Sequence, residues 1–199
     1  MYIFEYKDTK LKINTSEGLF SPNGADKGTV FMLEHTTFEK EDILLDLGCG
    51  TGIVSLCAAA DGVLPENITL TDIDPEAVRI ARINMEENGY EGAEFVCGSA
   101  LSEVKTTGFT KILSNPPYHT DFAVAKEFIT KGFNRLKIGG KLYMVTKRKD
   151  WYKNKIISVF GGVKIYESED GYFVFEAEKR SMEFSGKKHV AKKGSNKRR

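Results

Sequence analysis

The sequence predicts a three-layer α/β sandwich built on a mainly parallel sheet with an antiparallel edge. Three observations predict it. Short runs rich in Ile, Val, Leu and Phe alternate with longer stretches of helical periodicity, glycine or proline marks most passages between them, and the last two strands meet at a turn around Glu169 to Gly171 with no helix between. The 199 residues fit one domain, and 41% apolar against 29% charged side chains is enough to bury a core and too apolar for a disordered chain.

The elements follow in order. Residues 2–6 and 10–14 read as two short strands with a polar turn at Lys7 to Thr9. A loop, GLFSPNGADKG, then enters a helix that Asp26 can cap and whose pattern runs to about Glu39. DILLDLGCGTG is an apolar run ending in glycines, the mark of a buried parallel strand entering a tight turn, and IVSLCAAADG is the helix behind it. NITLTDID is the next strand. PEAVRIARINMEENG follows as a helix with Pro at its first position and Gly past its end, and AEFVCG is the third strand of the series. TKILSNPPY is the fourth, stopped by prolines. DFAVAKEFITKGFNRL then puts Ala125, Phe128, Ile129, Phe133 and Leu136 on one helical face. KLYMVTK, a helical WYKNKIISVF, VKIYE and YFVFEAE complete the chain's regular part. In such sheets ligands sit beyond the carboxyl ends of the strands, where the strand order reverses, and every motif described next falls at such an end.

Composition excludes several classes. No stretch approaches the ~18 consecutive apolar residues that a bilayer crossing needs. The amino terminus, MYIFEYKDTK, lacks the apolar core of a secretory signal, so a cytoplasmic chain is expected. Cys49, Cys57 and Cys97 have no metal or redox spacing and are expected to be buried, reduced thiols; no metal cluster is expected. The net charge of +1 conceals an asymmetry: residues 187–199 hold seven Lys or Arg and no acid, while the rest carries 22 basic against 28 acidic side chains. Residues 1–180 are therefore expected to fold as one unit, with 181–199 a flexible basic tail suited to phosphate backbones.

Three motifs carry chemistry. In DLGCGTG, Gly48, Gly50 and Gly52 let the backbone turn and let a ligand lie against bare peptide. The third glycine spacing of dinucleotide sites is missing, and Asp46 stands where it can face an ammonium group and would repel a pyrophosphate. Asp72 ends the next strand, where a carboxylate can accept both hydroxyls of a ribose; Asp74 is placed to cap the following helix. In SNPPYH, the prolines remove N–H donors. That leaves carbonyls and the Asn115 carboxamide oxygen as an acceptor-rich corner that can orient a planar amine, with Tyr118 as a stacking face.

DLGCGTG, TDID and NPPY in this order resemble the class I S-adenosylmethionine-dependent methyltransferases that modify exocyclic or amide nitrogens. With LFSPNGADKGT, ILSNPPYH and GGKLYMV, the stretch from about Gly18 to Glu178 is similar to the catalytic domain of small-subunit ribosomal RNA guanine-N2 methyltransferases. NPPY also occurs in adenine-N6 and protein-glutamine enzymes. The resemblance implies a Rossmann-like sandwich with a mostly parallel seven-stranded sheet and S-adenosyl-L-methionine as cofactor. It places Asp46, Gly48, Gly50, Gly52, Asp72, Ile73, Ser99 and Asn115 around that cofactor. Ser99 stands where relatives often carry Asp or Asn for the adenine amino group. Asn115, Pro116, Pro117 and Tyr118 would form the catalytic corner, and Phe20, Asp26 and Gly28 belong to the loop that closes over the cofactor in that family. Ribosomal RNA or the small ribosomal subunit is the implied partner, touched by the basic tail and by Lys147, Arg148 and Lys149. The alternatives are a glutamine-amide methyltransferase of release-factor type, which would carry a sizeable helical domain ahead of Asp46, and a non-catalytic RNA- or partner-binding module, which would show erosion of the motifs. Methyl transfer from a sulfonium needs alignment and exclusion of water more than a strong base, so His119 is not assigned a catalytic role.

Overall fold

A computed structural model describes residues 1–19, 24–99, 101–116 and 122–187. The chain opens with a hairpin, β1 (Tyr2–Tyr6) and β2 (Thr9–Ile13), whose turn places Lys7 at φ 50. Then come α1 (Lys27–Glu34), β3 (Leu44–Leu47), α2 (Ile53–Ala60), β4 (Ile68–Asp72), α3 (Pro75–Glu87), β5 (Glu94–Cys97), β6 (Phe109–Ser114), α4 (Phe122–Arg135), β7 (Leu136–Thr146), α5 (Lys149–Phe160), β8 (Lys164–Glu167) and β9 (Phe173–Glu178). The hairpin is a sheet of its own, and the other strands form a seven-stranded sheet in the order β5-β4-β3-β6-β7-β9-β8. From β5 to β7 all neighbours run parallel, while β9 is antiparallel to both β7 and β8. The expected Rossmann-like sandwich is what the chain forms.

The alternation of side chains along the strands sorts the core into two layers. Leu44, Leu70, Leu113, Val145 and Val174 pack with α1, α2 and α3, whereas Leu45, Leu47, Ile112, Met144 and Phe175 pack with α4 and α5. Central strands buried on both faces read as continuous apolar runs, as ILLDL and KILS do. The order places β3 between β4 and β6, with successive crossovers leaving to opposite sides, so the crevice opens beyond the carboxyl ends of β3 and β6.

Two asparagines, one in the last turns of α3 and one at its C-terminal cap, tether the hairpin. Asn84 exchanges hydrogen bonds with the backbone of Asn14, and Asn88 with that of Lys12, at 2.7 to 3.0 Å, so carboxamides one helical turn apart imitate a strand neighbour for β2. Asn84 is fully buried and also donates to the Thr51 carbonyl at 2.9 Å, which ties this tether to the glycine turn after β3.

Several elements depart from the sequence-based expectation. The first helix stops at Glu34 rather than Glu39: the Thr36 hydroxyl donates to the Met32 carbonyl, the His35 N–H closes on the same carbonyl, and Phe38 turns into the core. β7 begins directly where α4 ends and is longer than KLYMVTK, because Gly140 lets it pass the Phe109 carbonyl. A Cβ on Gly140 would lie 2.7 Å from that oxygen. Cys49 and Cys57 are buried free thiols, but Cys97 is exposed, since β5 is an edge strand and covers its last residue poorly. Residues beyond β9 pack on the α4–α5 layer, with Phe184 edge-on to Phe133 at 4.9 Å. Residues 188–199, most of the basic segment, lie outside the described residues. No described helix is long and apolar enough to cross a membrane.

Candidate active site

A cavity of about 430 Å³ opens at the carboxyl ends of β3, β4, β5 and β6. Its floor is the turn after β3. Gly48 and Cys49 both donate to the Thr71 carbonyl, at 2.9 and 3.0 Å, so the glycine run folds over the end of the neighbouring strand. The turn stays there because Gly50 (φ 53) donates its N–H to Asp72 Oδ2 at 3.0 Å. A Cβ on Gly50 would meet no atom within 4 Å, so the peptide presents bare backbone to open space. Gly52 has a different task. It caps α2 at φ 78, and a Cβ there would come within 3.1 Å of Ala81 and 3.2 Å of Leu70, so it sets the packing of α2 against α3 and β4 and lies outside the cavity wall.

Asp46 is 2% exposed and is held by Ser55, whose N–H and hydroxyl both donate to Oδ2 at 3.2 and 2.9 Å. Burial pushes its carboxyl up to about 7; the Ser55 bonds oppose that rise and the charge of Asp72 adds to it. The folded chain therefore keeps this proton to about pH 7 while the unfolded chain loses it in the ordinary carboxylate range. Between those limits the native state binds more protons, so this group's contribution to stability falls as pH rises and is constant above the folded value.

Asp72 accepts from Gly50 on one oxygen and from the Asp74 N–H on the other, at 3.0 Å each, which fixes its carboxylate at the end of β4. Asp74 caps α3 through the Glu76 N–H, as its sequence predicts. Ile73 projects an apolar side chain, 71% exposed, at the cavity edge, and Ser99 lies on the wall after β5.

Asn115 lies on the wall after β6. Its Nδ2 donates to Asp26 Oδ1 at 2.8 Å and to Thr29 Oγ1 at 2.9 Å, so both N–H bonds point to the first turn of α1. That assignment orients the carboxamide with its oxygen on the opposite side. Pro116 is buried and is not part of the wall. Pro117, Tyr118, His119 and Phe20 lie outside the described residues. Sequence reasoning missed Ser55, whose signal is a lone hydroxyl in the apolar IVSLCAAA, and Thr29, whose partner is 86 positions away and leaves no local signal.

The charge of the wall is one-sided. Among the described residues it contains Asp26, Asp46, Asp72, Asp74 and Glu127 and no Lys, Arg or His. Such a wall suits a cationic ligand and opposes a phosphate. Lys147, Arg148 and Lys149 stand outside it, where β7 enters α5. There Lys147 lies over the Tyr172 ring and Arg148 over Phe122, while Lys149 pairs with Glu167 at 2.7 Å.

The sequence model of the family described as MTS, methyltransferase small domain, matches residues 10–176. Among solved structures, the chain is similar to the Thermus thermophilus 16S rRNA N2 G1207 methyltransferase (RsmC) in complex with AdoMet and guanosine, at TM-score 0.82 and 22% identity. That likeness covers 90% of this chain and 50% of the other, so the chain spans about half that enzyme's length. A methyltransferase from Pyrococcus furiosus is similar at TM-score 0.66 and 22% identity, covering 83% of this chain and 91% of that one. The ribosomal protein L11 methylase from Lactobacillus delbrueckii subsp. bulgaricus is similar at TM-score 0.62 and 17% identity, covering 76% and 77%. At these identities the likenesses establish the fold. The family match spans most of the sequence and both motif-bearing halves of the sheet, and by it the chain belongs to the methyltransferase small domain family.

Proposed function

We propose that the chain is an S-adenosylmethionine-dependent N-methyltransferase whose acceptor is the exocyclic N2 amine of a guanine in ribosomal RNA. The observation that carries this reading is the wall of five carboxylates without a described basic side chain, with the Asn115 carboxamide on it. The residues fit the donor: the volume is in the range of small-molecule sites, Gly50 leaves room against bare peptide, and Ile73 offers an apolar face at the edge. S-Adenosylmethionine supplies a methyl group on a sulfonium, whose transfer to nitrogen frees a neutral thioether and one proton.

Each residue then has a task. Asp46 faces the ammonium, Asp72 receives the ribose hydroxyls on its remaining lone pairs, Ile73 and Ser99 meet the adenine, and Gly48 and Gly50 let the methionine part lie against the backbone. Gly52 holds α2 in place for them. Asn115 Oδ1 accepts an N–H bond of a planar amine and turns its nitrogen toward the methyl group, while Pro116 and Pro117 withhold competing donors and Tyr118 supplies a stacking face. The proton leaves to water after transfer, so no residue is assigned as a base. The fold shared with the 16S rRNA N2 methyltransferase supports guanine as the acceptor, and the basic corner at Lys147 and Arg148 supports RNA.

Labelled methyl offered in parallel to total RNA, small ribosomal subunits and release factors tests the reading. Label in N2-methylguanosine of ribosomal RNA is the expected result; label in release factors alone contradicts it. Two further outcomes are expected. Donor affinity should rise about tenfold between pH 6 and pH 8, because only ionised Asp46 attracts an ammonium and its carboxyl titrates at about 7. Calorimetry of Asp46→Asn should show that slope abolished. Replacing Lys147 and Arg148 together by alanine should weaken RNA binding and flatten its log–log salt dependence by about 1.4, the value for two phosphate contacts to a single strand.

A further inference from the structure

We infer that Asp26 and Thr29, in the first turn of α1, are positioning residues that set the Asn115 carboxamide for the acceptor amine. This rests on the function proposed above and deepens it. A carboxamide has two ends of nearly equal size. Turned by half a rotation, Asn115 would offer an N–H to an amine that is itself a donor, and the corner would repel its substrate. The bonds to Asp26 Oδ1 (2.8 Å) and Thr29 Oγ1 (2.9 Å) decide between the two orientations.

The positioning groups are themselves fixed. Asp26 Oδ1 also accepts the Thr29 N–H at 3.0 Å, so a single oxygen caps α1 and anchors Asn115. Thr29 is 6% exposed. The turn is pressed against β9's leading corner: Lys27 pairs with Asp170 at 2.9 Å, and a Cβ on Gly28 would lie 2.7 Å from the Tyr172 ring. Gly24, Ala25 and Asp26 also form wall of the donor cavity. One short segment thus borders the donor and orients the group that meets the acceptor. Asp26 capping a helix was legible in the sequence, whereas its link to Asn115, 89 positions on, comes from the fold.

Thr29→Val keeps the side chain's shape and removes its oxygen. The test measures kcat and KM at saturating donor, donor Kd by calorimetry, and the melting temperature. Expected is a kcat about five- to tenfold lower, the loss appropriate to one hydrogen bond, with KM and Kd within about twofold. Thr29→Ser should restore the rate to within about twofold. In an Asn115→Ala background Thr29→Val should cost nothing further, because the group it positions is gone. An equal loss in both backgrounds, or a raised donor Kd with kcat intact, overturns the inference. Should the valine variant not fold, Thr29→Ala decides: it removes the same oxygen and should lower kcat only where Asn115 is present. Methyl transfer that is indifferent to these changes overturns the inference alone, whereas no transfer by the unaltered chain to any acceptor overturns the proposed function and the inference with it.

Discussion

Asn115→Ala is expected to leave donor binding within about threefold and to lower kcat by about 10²- to 10³-fold, the range for removing one oriented polar group from a reaction site. The separation of the two effects follows from the geometry. Asn115 Nδ2 donates to Asp26 and Thr29 of α1, whereas the donor floor is held by the bonds of Gly50 to Asp72 and of Ser55 to Asp46, so loss of Asn115 leaves that floor in place. What disappears is an acceptor for the amine. Single-turnover rates at saturating donor, set beside calorimetric donor affinity, check this. Asn115→Asp should be no better, because a second carboxylate would then face Asp26 across 2.8 Å. A full rate for Asn115→Ala contradicts the mechanism.

Asp72→Ala is expected to weaken donor binding about 10²- to 10³-fold, with kcat/KM falling in proportion. The side chain makes two backbone bonds, to Gly50 and Asp74, that hold the glycine turn over the end of β4. Alanine leaves both donors without that acceptor and removes the group assigned to the ribose. Two charge-assisted bonds at about 1.5–3 kcal/mol each would give about 10²- to 10⁴-fold, and the lower part of that range is expected because water can replace them at an open site. Titration calorimetry measures the affinity, and urea unfolding separates lost binding from lost stability, since an exposed turn should cost only about 1–2 kcal/mol of the fold.

Much of the fold was legible because its elements end in chemistry that has few alternatives. The alternating runs gave β3 through β7 in order, Pro75 and Asp74 marked the start of α3, and the turn at Glu169 to Gly171 marked the antiparallel edge. What escaped depends on contacts between distant residues. The early stop of α1 rests on Phe38 turning into the core, and the length of β7 on Gly140 slipping past Phe109. Neither has a local signature, because packing overrides helix or strand preference there.

The site divides in the same way. Asp46, Gly48, Gly50, Asp72, Ile73, Ser99 and Asn115 all reach one cavity, since each terminates a strand or follows one at the same edge of the sheet. The sequence places Gly52 among them, yet a Cβ there would run into Ala81 and Leu70 rather than into the cavity. A glycine in a turn can serve a ligand or a neighbouring helix, and spacing alone does not separate these uses. Likewise Asp46 reads as exposed to an ammonium, but burial and Ser55 shape its proton affinity, which only the folded surroundings determine.

Titration of the unaltered chain with S-adenosylmethionine, and separately with S-adenosylhomocysteine, by calorimetry at pH 8 tests the central claim most directly. One molecule of each bound per chain, with affinity about 10²- to 10³-fold weaker in Asp72→Ala, is the expected result. Absence of heat with both ligands across several temperatures, from a chain that is folded by circular dichroism, would contradict the assignment of the acidic cavity to a methyl donor and every role derived from it.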